Sequence, residues 1–303
     1  MTAQGASAPR VVVVGDVMRD VLVRPEGPPL RGADRRAEVR FAPGGSAANC
    51  ACWLAALGVA VTFAGRVGAG DLPGLEAEFR AAGVRPRLSP DPHAPTGALV
   101  ALVDPADGER SFLTSRGAND RLGVEDLPDA LLDGAALLHV SGYALVAEGP
   151  RAAASDLIAR AVARGVTVSV DPGSASFLAE IGAGRFFKAI AGARLFFPNR
   201  DEAEALTGEA DPVAQAARLA PRFAVLAIKD GAGVARVWVE GARAAESAPP
   251  PARMVDSTGA GDAFAAGFIA GWLAGDAPGK CLAQAHDTAA RAISHMGARP
   301  EAP

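Results

Sequence analysis

Aromatic residues make up only 5% of the 303-residue sequence, with one Tyr, and lysine occurs three times (Lys188, Lys229, Lys280). Cysteine also occurs three times, at Cys50, Cys52 and Cys281. Three thiols cannot staple a chain of this length, and Cys50 and Cys52 lie on one helical stretch where side chains two apart diverge. No Cys/His metal spacing is present, so the thiols read as reduced and the compartment as cytoplasmic. Positive charge is not in excess either: 30 basic residues face 34 acidic ones, a formal charge of −4. A nucleic-acid surface needs clustered basic excess, so no nucleic-acid partner is expected. No apolar run approaches the ~18–20 residues of a membrane span. Residues 1–10 are small and polar and lead into Val11-Val12-Val13-Val14, a strand rather than the apolar region of a signal peptide. No membrane partner is expected.

Alanine abounds, with 69 residues inside an apolar fraction of 50%. That fraction supplies an ample core and excludes a disordered or collagen-like chain. Together with 27 Arg, the Ala excess reads as genome composition and carries no functional argument.

The apolar pattern predicts strands at 11–14, 59–65, 136–140, 166–170, 195–197, 224–228, 234–239 and 243–247. It predicts helices at 46–57, 72–82, 125–132, 150–164, 199–207, 212–220, 261–274 and 279–295. Alternation of the two over some 200 residues implies a mainly parallel sheet covered on both faces, a doubly wound αβα sandwich. Two segments break the rhythm. Residues 20–41 are Pro- and Arg-rich and extended in part, and 97–115 reads as a hairpin about Asp107-Gly108. The expectation is one domain, 1–303, with these two segments inserted as a small β-sheet lid.

The chemistry is most legible in Val255-Asp256-Ser257-Thr258-Gly259-Ala260-Gly261-Asp262-Ala263-Phe264. Small residues at a helix start let backbone N–H groups converge, and the helix adds its positive end, so Gly259, Ala260 and Gly261 form an anion hole. Asp262, one residue on, is placed to take a proton from a group attacking that anion. An anion hole beside a base, without a nucleophilic Cys, a Ser–His pair or a metal cluster, points to phosphoryl transfer. A capped helix start with Asp262 complementing the dipole is the plainer reading of the same residues.

That string resembles the second signature of the ribokinase-like, or PfkB-type, carbohydrate kinases. Phe41-Ala42-Pro43-Gly44-Gly45-Ser46-Ala47-Ala48-Asn49 is similar to the first, Gly15-Asp16-Val17-Met18-Arg19-Asp20 to the sugar-contacting turn, and Asn199-Arg200-Asp201-Glu202 to the Asn-x-x-Glu element. The likeness runs from about residue 11 to residue 300. It implies an ATP- and Mg²⁺-dependent sugar kinase with Asp262 as base and the amides of 259–261 stabilising the transferred group. Asp16, Asp20, Gly44, Gly45 and Asn49 would contact the sugar. Asn199, Lys229, Gly231 and His286 would lie on the nucleotide side. Glu202 would approach Mg²⁺ through water, and Asp256 would sit by a monovalent cation such as K⁺. The resemblance also implies a homodimer joined through the lid. Read from the residues alone, Asn199 and Glu202 are also a helix N-cap and its capping-box partner.

Four departures stand out. Met18 replaces a polar residue of the sugar turn, and in Gly65-Arg66-Val67-Gly68-Ala69-Gly70-Asp71 a paired Asp is lost or shifted. Asp171-Pro172-Gly173 lacks an Asn, and Val234 replaces a Gly of the nucleotide loop. Two rivals remain open: a nucleoside kinase using the same base, and a non-catalytic sugar- or nucleotide-binding regulator. A dinucleotide oxidoreductase is disfavoured, because the first strand ends in Gly15-Asp16-Val17 rather than Gly-x-Gly-x-x-Gly.

Overall fold

Four consecutive valines have no polar face, and Val11–Val14 are accordingly fully buried. They belong to the strand Arg10–Val14, an interior strand, third from one edge of a nine-stranded sheet. The computed structural model describes residues 10–28, 31–104 and 110–301. In chain order the elements are β1 (Arg10–Val14), β2 (Met18–Pro25), β3 (Ala37–Gly44), α1 (Ser46–Ala56), β4 (Ala60–Gly68), α2 (Leu72–Ala81) and β5 (Val84–Asp91). They continue with β6 (Gly97–Val103), β7 (Arg110–Ser115), β8 (Ala135–Ser141), α3 (Glu148–Ala163), β9 (Thr167–Asp171), α4 (Ala175–Ile181) and α5 (Ala183–Ala189). Next come β10 (Leu195–Phe196), α6 (Arg200–Thr207), α7 (Pro212–Leu219), β11 (Val225–Ile228), β12 (Ala235–Val239) and β13 (Ala242–Ser247). Helices α8 (Ala260–Leu273) and α9 (Pro278–Ile293) follow.

The large sheet runs β13-β12-β11-β10-β9-β8-β1-β4-β5 and is parallel from β11 to β5. Only the β11–β12 and β12–β13 pairings, at one edge, are antiparallel. Alternate valines of β1 serve opposite faces. Val12 and Val14 join one core with Leu138, Leu157 and Phe196, whereas Val11 and Val13 join another with Trp53, Phe63, Phe264 and Phe268. This is the doubly wound sandwich that the alternation predicts.

The interrupting segments form a separate four-stranded sheet, β3-β2-β6-β7. Its β2–β6 pair is parallel and its outer pairs antiparallel. In register, Phe41, Val21, Val100 and Leu113 form one row, and Ala42, Asp20, Leu99 and Thr114 the next. Adjacent rows point to opposite faces, so the Asp20 face and the Phe41 face are distinct. Phe41, Leu113 and Val39 are exposed. The Asp107-Gly108 turn lies outside the described residues.

Three stretches differ from the sequence expectation. Residues 125–132 form two short 3₁₀ turns, Val124–Asp126 and Asp129–Leu131, because Pro128 between them has no N–H to carry an α-helical ladder. Strand β5 was not anticipated; its Pro86 and Pro90 argue against a central strand, and it is indeed an edge strand. Helices α4 and α5 were also missed, each being only seven residues long. All three cysteines are buried and free. Among the described residues no helix is long and apolar enough to cross a membrane.

Candidate active site

Parallel strands of a doubly wound sheet present their C-terminal ends to one side, where ligands bind. Here that side gathers Asp16 after β1, Asp171 at the end of β9, Asn199 after β10 and Lys229 after β11. Helices α1 and α8 bring their N-terminal turns to the same place, and their contact is joined by side chains. Ser46 Oγ donates to Asp262 Oδ1 over 2.7 Å, and Asn49 Nδ2 donates to Asp262 Oδ2 over 3.0 Å.

Asp262 sits in the first turn of α8, behind Gly259. Gly259 is left-handed, φ 78°, and a Cβ there would come within 2.7 Å of Ala298 Cβ and O, so only glycine fits. The amides of Gly259 and Gly261 have no hydrogen-bond partner among the described residues, and that of Ala260 reaches Ser257 O only at 3.4 Å. Burial pushes the Asp262 carboxyl up to about 7, with the Asp171 and Asp16 charges adding to the rise and the Ser46 and Asn49 hydrogen bonds opposing it. A carboxyl poised there exchanges a proton near neutral pH.

Lys229 Nζ lies 2.6 Å from Asp171 Oδ2, a buried ion pair. Burial pulls the ammonium down, but Asp171 and Glu202 outweigh it and hold Lys229 above its ordinary value. The pair stands against the α8 turn: a Cβ at Gly261 would lie 3.3 Å from Lys229 Nζ. Gly231, in the following turn, has φ 54° and open space around it. Asn199 and Glu202 form a complete capping box: Asn199 N donates to Glu202 Oε2 (2.7 Å), Asn199 Nδ2 to Oε1 (2.8 Å), and Glu202 N to Asn199 Oδ1 (2.8 Å). Burial lifts the Glu202 carboxyl to about 7 against the pull of Lys229.

On the acceptor side, Asp16 caps α1, its carboxylate accepting from Ser46 N (3.1 Å) and Ala47 N (3.2 Å). Asp20 sits on β2 with Gly44 packed directly against its carboxylate. Its Oδ1 is buried without a hydrogen-bond partner, and burial with the nearby Asp16 charge raises this carboxyl to about 6. Gly45 is the residue at which α1 begins, its backbone packed on that of Asp16. Met18 is buried, and its Sδ receives Asn119 Nδ2 at 3.3 Å.

Two expected residues stand somewhat apart. His286 is buried edge-on to Phe264 and shares a 3.0 Å hydrogen bond with Ser247 O. Asp256 braces two loops, accepting from Thr258 N, Thr258 Oγ1 and Gly297 N. Sequence reasoning singled out neither Arg299 nor Tyr143 as a site residue. Arg299 donates through Nη2 to Gly44 O (3.0 Å) and through Nε to Asn49 Oδ1 (3.4 Å). Tyr143 explains one departure. Its ring occupies the space beside Gly173, where a Cβ would lie 3.1 Å from it at φ +94°. No local signal marks either residue, since both act across long stretches of chain.

Residues 8–303 match the family described as pfkB family carbohydrate kinase. The chain belongs to that family. It is therefore a phosphotransferase acting on an alcohol, a sugar or nucleoside kinase with the ribokinase-like fold. An ATP-dependent ribose-1-phosphate kinase of Halopiger xanaduensis is 34% identical over 298 residues, covering 96% of this chain and 94% of the relative. Among solved structures, a probable sugar kinase from Rhizobium etli superposes with a TM-score of 0.86 at 26% identity, covering 97% of this chain and 95% of the other. An adenosine kinase from Sinorhizobium meliloti also gives 0.86, at 25% identity and 97% and 96% coverage.

Proposed function

We propose that this PfkB-family kinase transfers the γ-phosphate of ATP to a primary hydroxyl of a small sugar, with Asp262 as the base. The observation that carries this reading is the Asp262 carboxylate, half-buried, held by Ser46 and Asn49 and brought to about 7 beside a helix start where the Gly259 and Gly261 amides have no partner among the described residues. Asp262 takes the proton of the acceptor hydroxyl as its oxygen bonds to the γ-phosphorus. The bond from that phosphorus to the bridging oxygen breaks, and ADP leaves. The amides of Gly259, Ala260 and Gly261 meet the charge on the transferring group.

Gly44, Gly45, Asn49 and Asp20 line the acceptor, and Asp20 Oδ1 takes a hydroxyl proton donor. Asp16 acts by fixing the α1 turn that carries Asn49. Asn199, Lys229 and Gly231 hold the nucleotide side, and His286 supports its wall from within α9. Both Glu202 oxygens are engaged by Asn199, and no group of three or more His, Cys, Asp or Glu among the described residues would hold a metal alone. That donor set fits Mg²⁺ held chiefly by phosphates and water, with Glu202 reaching it through water. When bound, Mg²⁺ supplies charge neutralisation to the phosphates. A monovalent cation such as K⁺ would share the loops braced by Asp256.

The small sheet serves as a lid over the acceptor and excludes water. Its outward face, with Val39, Phe41 and Leu113 exposed, forms the homodimer contact. The test is ADP release across free sugars and nucleosides. Turnover with sugars supports the reading; turnover confined to nucleosides replaces it with the nucleoside kinase, and ligand binding without any ADP release replaces it with a binding regulator.

A further inference from the structure

Asn49 is buried, and its side-chain amide faces two partners. Nδ2 donates to Asp262 Oδ2 over 3.0 Å, and Oδ1 accepts from Arg299 Nε at 3.4 Å. The two ends of an amide are nearly alike in shape, so a half-turn exchanges donor and acceptor and only the partners decide which end lies where. Asp262 does not decide it alone. An ionised carboxylate takes the N–H end, but the base carries a proton once it has acted, and a carboxylic acid can donate to the oxygen end instead. Arginine offers only N–H donors and keeps its charge throughout. Arg299 therefore holds Oδ1 in either state of Asp262 and leaves Nδ2 facing the base.

The guanidinium is itself fixed. Its Nη2 donates to Gly44 O (3.0 Å), and its centre lies 5.2 Å from the centre of the Phe79 ring. The two residues before it are tied to both sides of the site. Gly297 N donates to Asp256 Oδ2 (3.1 Å), and Ala298 O accepts from Trp53 Nε1 of α1 (2.9 Å). Ala298 also packs so closely on Gly259, where α8 begins, that a Cβ has no room there. Residues 297–299 thus clasp α1 to the start of α8 at the point where Asn49 meets Asp262.

We infer that Arg299 is a positioning residue for catalysis: by fixing the Asn49 amide it keeps Asp262 aimed at the acceptor hydroxyl throughout proton transfer. This inference rests on the reading of Asp262 as the base. The role needs a guanidinium, because one planar fork meets Gly44 O and Asn49 Oδ1 at once. A lysine ammonium on a flexible stem does not hold that pair of directions.

The test is a double-mutant cycle on kcat with Arg299→Met and Asn49→Ala, at saturating ATP and the best acceptor found. Arg299→Met should lower kcat about 10- to 100-fold, as a displaced catalytic group does, with the KM for ATP within about 2-fold of the wild type. In the Asn49→Ala background the same change should cost less than about 3-fold, because the amide through which Arg299 acts is gone. Arg299→Lys should recover only part of the lost kcat, since charge returns without the fork. It also takes the place of Arg299→Met in the cycle, under the same criteria, if the Met variant does not fold. Penalties that multiply in the double variant, or a kcat of Arg299→Met within about 2-fold of the wild type, overturn the inference. Asp262→Asn, assayed alongside, separates the two readings. Undiminished turnover there removes the base, and this inference with it, whereas turnover lost there with multiplying penalties in the cycle removes this inference alone.

Discussion

Asn49 donates its side-chain amide to Asp262 over 3.0 Å, although 213 residues separate them. The bond closes the contact between the first turns of α1 and α8. Ser46, one turn earlier on α1, takes the other oxygen. A carboxylate gripped on both oxygens keeps one orientation toward an acceptor hydroxyl. Its pKa reflects the balance between burial and these two donors.

That balance sets the pH dependence. Asp262 must be ionised to accept a proton, so kcat/KM should fall as pH drops through about 7. Ser46→Ala removes a hydrogen bond that lowers the carboxyl, so its acid limb should move to higher pH. A pH–rate profile of both proteins checks this.

Stability should respond to the same group. In the folded chain Asp262 holds its proton up to about 7, above the ~3.9 of a free Asp. The folded state binds the extra proton between those values. This contribution is therefore full below the unfolded pKa and is lost as pH rises through the folded one. Asp262→Asn is free of that loss, so its stability relative to the wild type should rise from pH 5 to pH 8 in urea unfolding.

Lys229 offers a test of the nucleotide side. Replacing it by Met leaves Asp171 buried without its partner, and such a break costs about 3–5 kcal/mol. Lys229→Met with Asp171→Leu should recover most of that loss, because neither charge remains. Denaturant midpoints of the single and double variants decide the point.

Much of the fold was legible because the chemistry was local. The Val11–Val14 run, the glycine starts before α1 and α8, and the Asn199–Glu202 capping box each lie within a few residues. What was not legible depends on distant partners. Asp16 reads as a sugar ligand in its turn, and its carboxylate also accepts from the α1 amides 30 and 31 residues on, a contact that no local spacing announces. Arg299 reaches Gly44 across 255 residues, and no spacing rule connects them. Gly173 stands where the resemblance leads one to expect an Asn, and the Tyr143 ring, far off in sequence, occupies the space a side chain there would enter.

The outward face of the small sheet yields a prediction on assembly. Phe41 is 81% exposed and Leu113 65%, in one row across the sheet. The wild type should sediment as a dimer, and Phe41→Asp with Leu113→Asp as a monomer with unchanged circular dichroism. A wild-type monomer at the same concentration would remove the proposed interface.

The central claim is that Asp262 is the base. Its most direct test is kcat of Asp262→Asn with the best acceptor found, measured beside ATP affinity. The expected result is a fall of about 10²–10⁴-fold in kcat with ATP binding retained. Turnover within a few-fold of the wild type would contradict it.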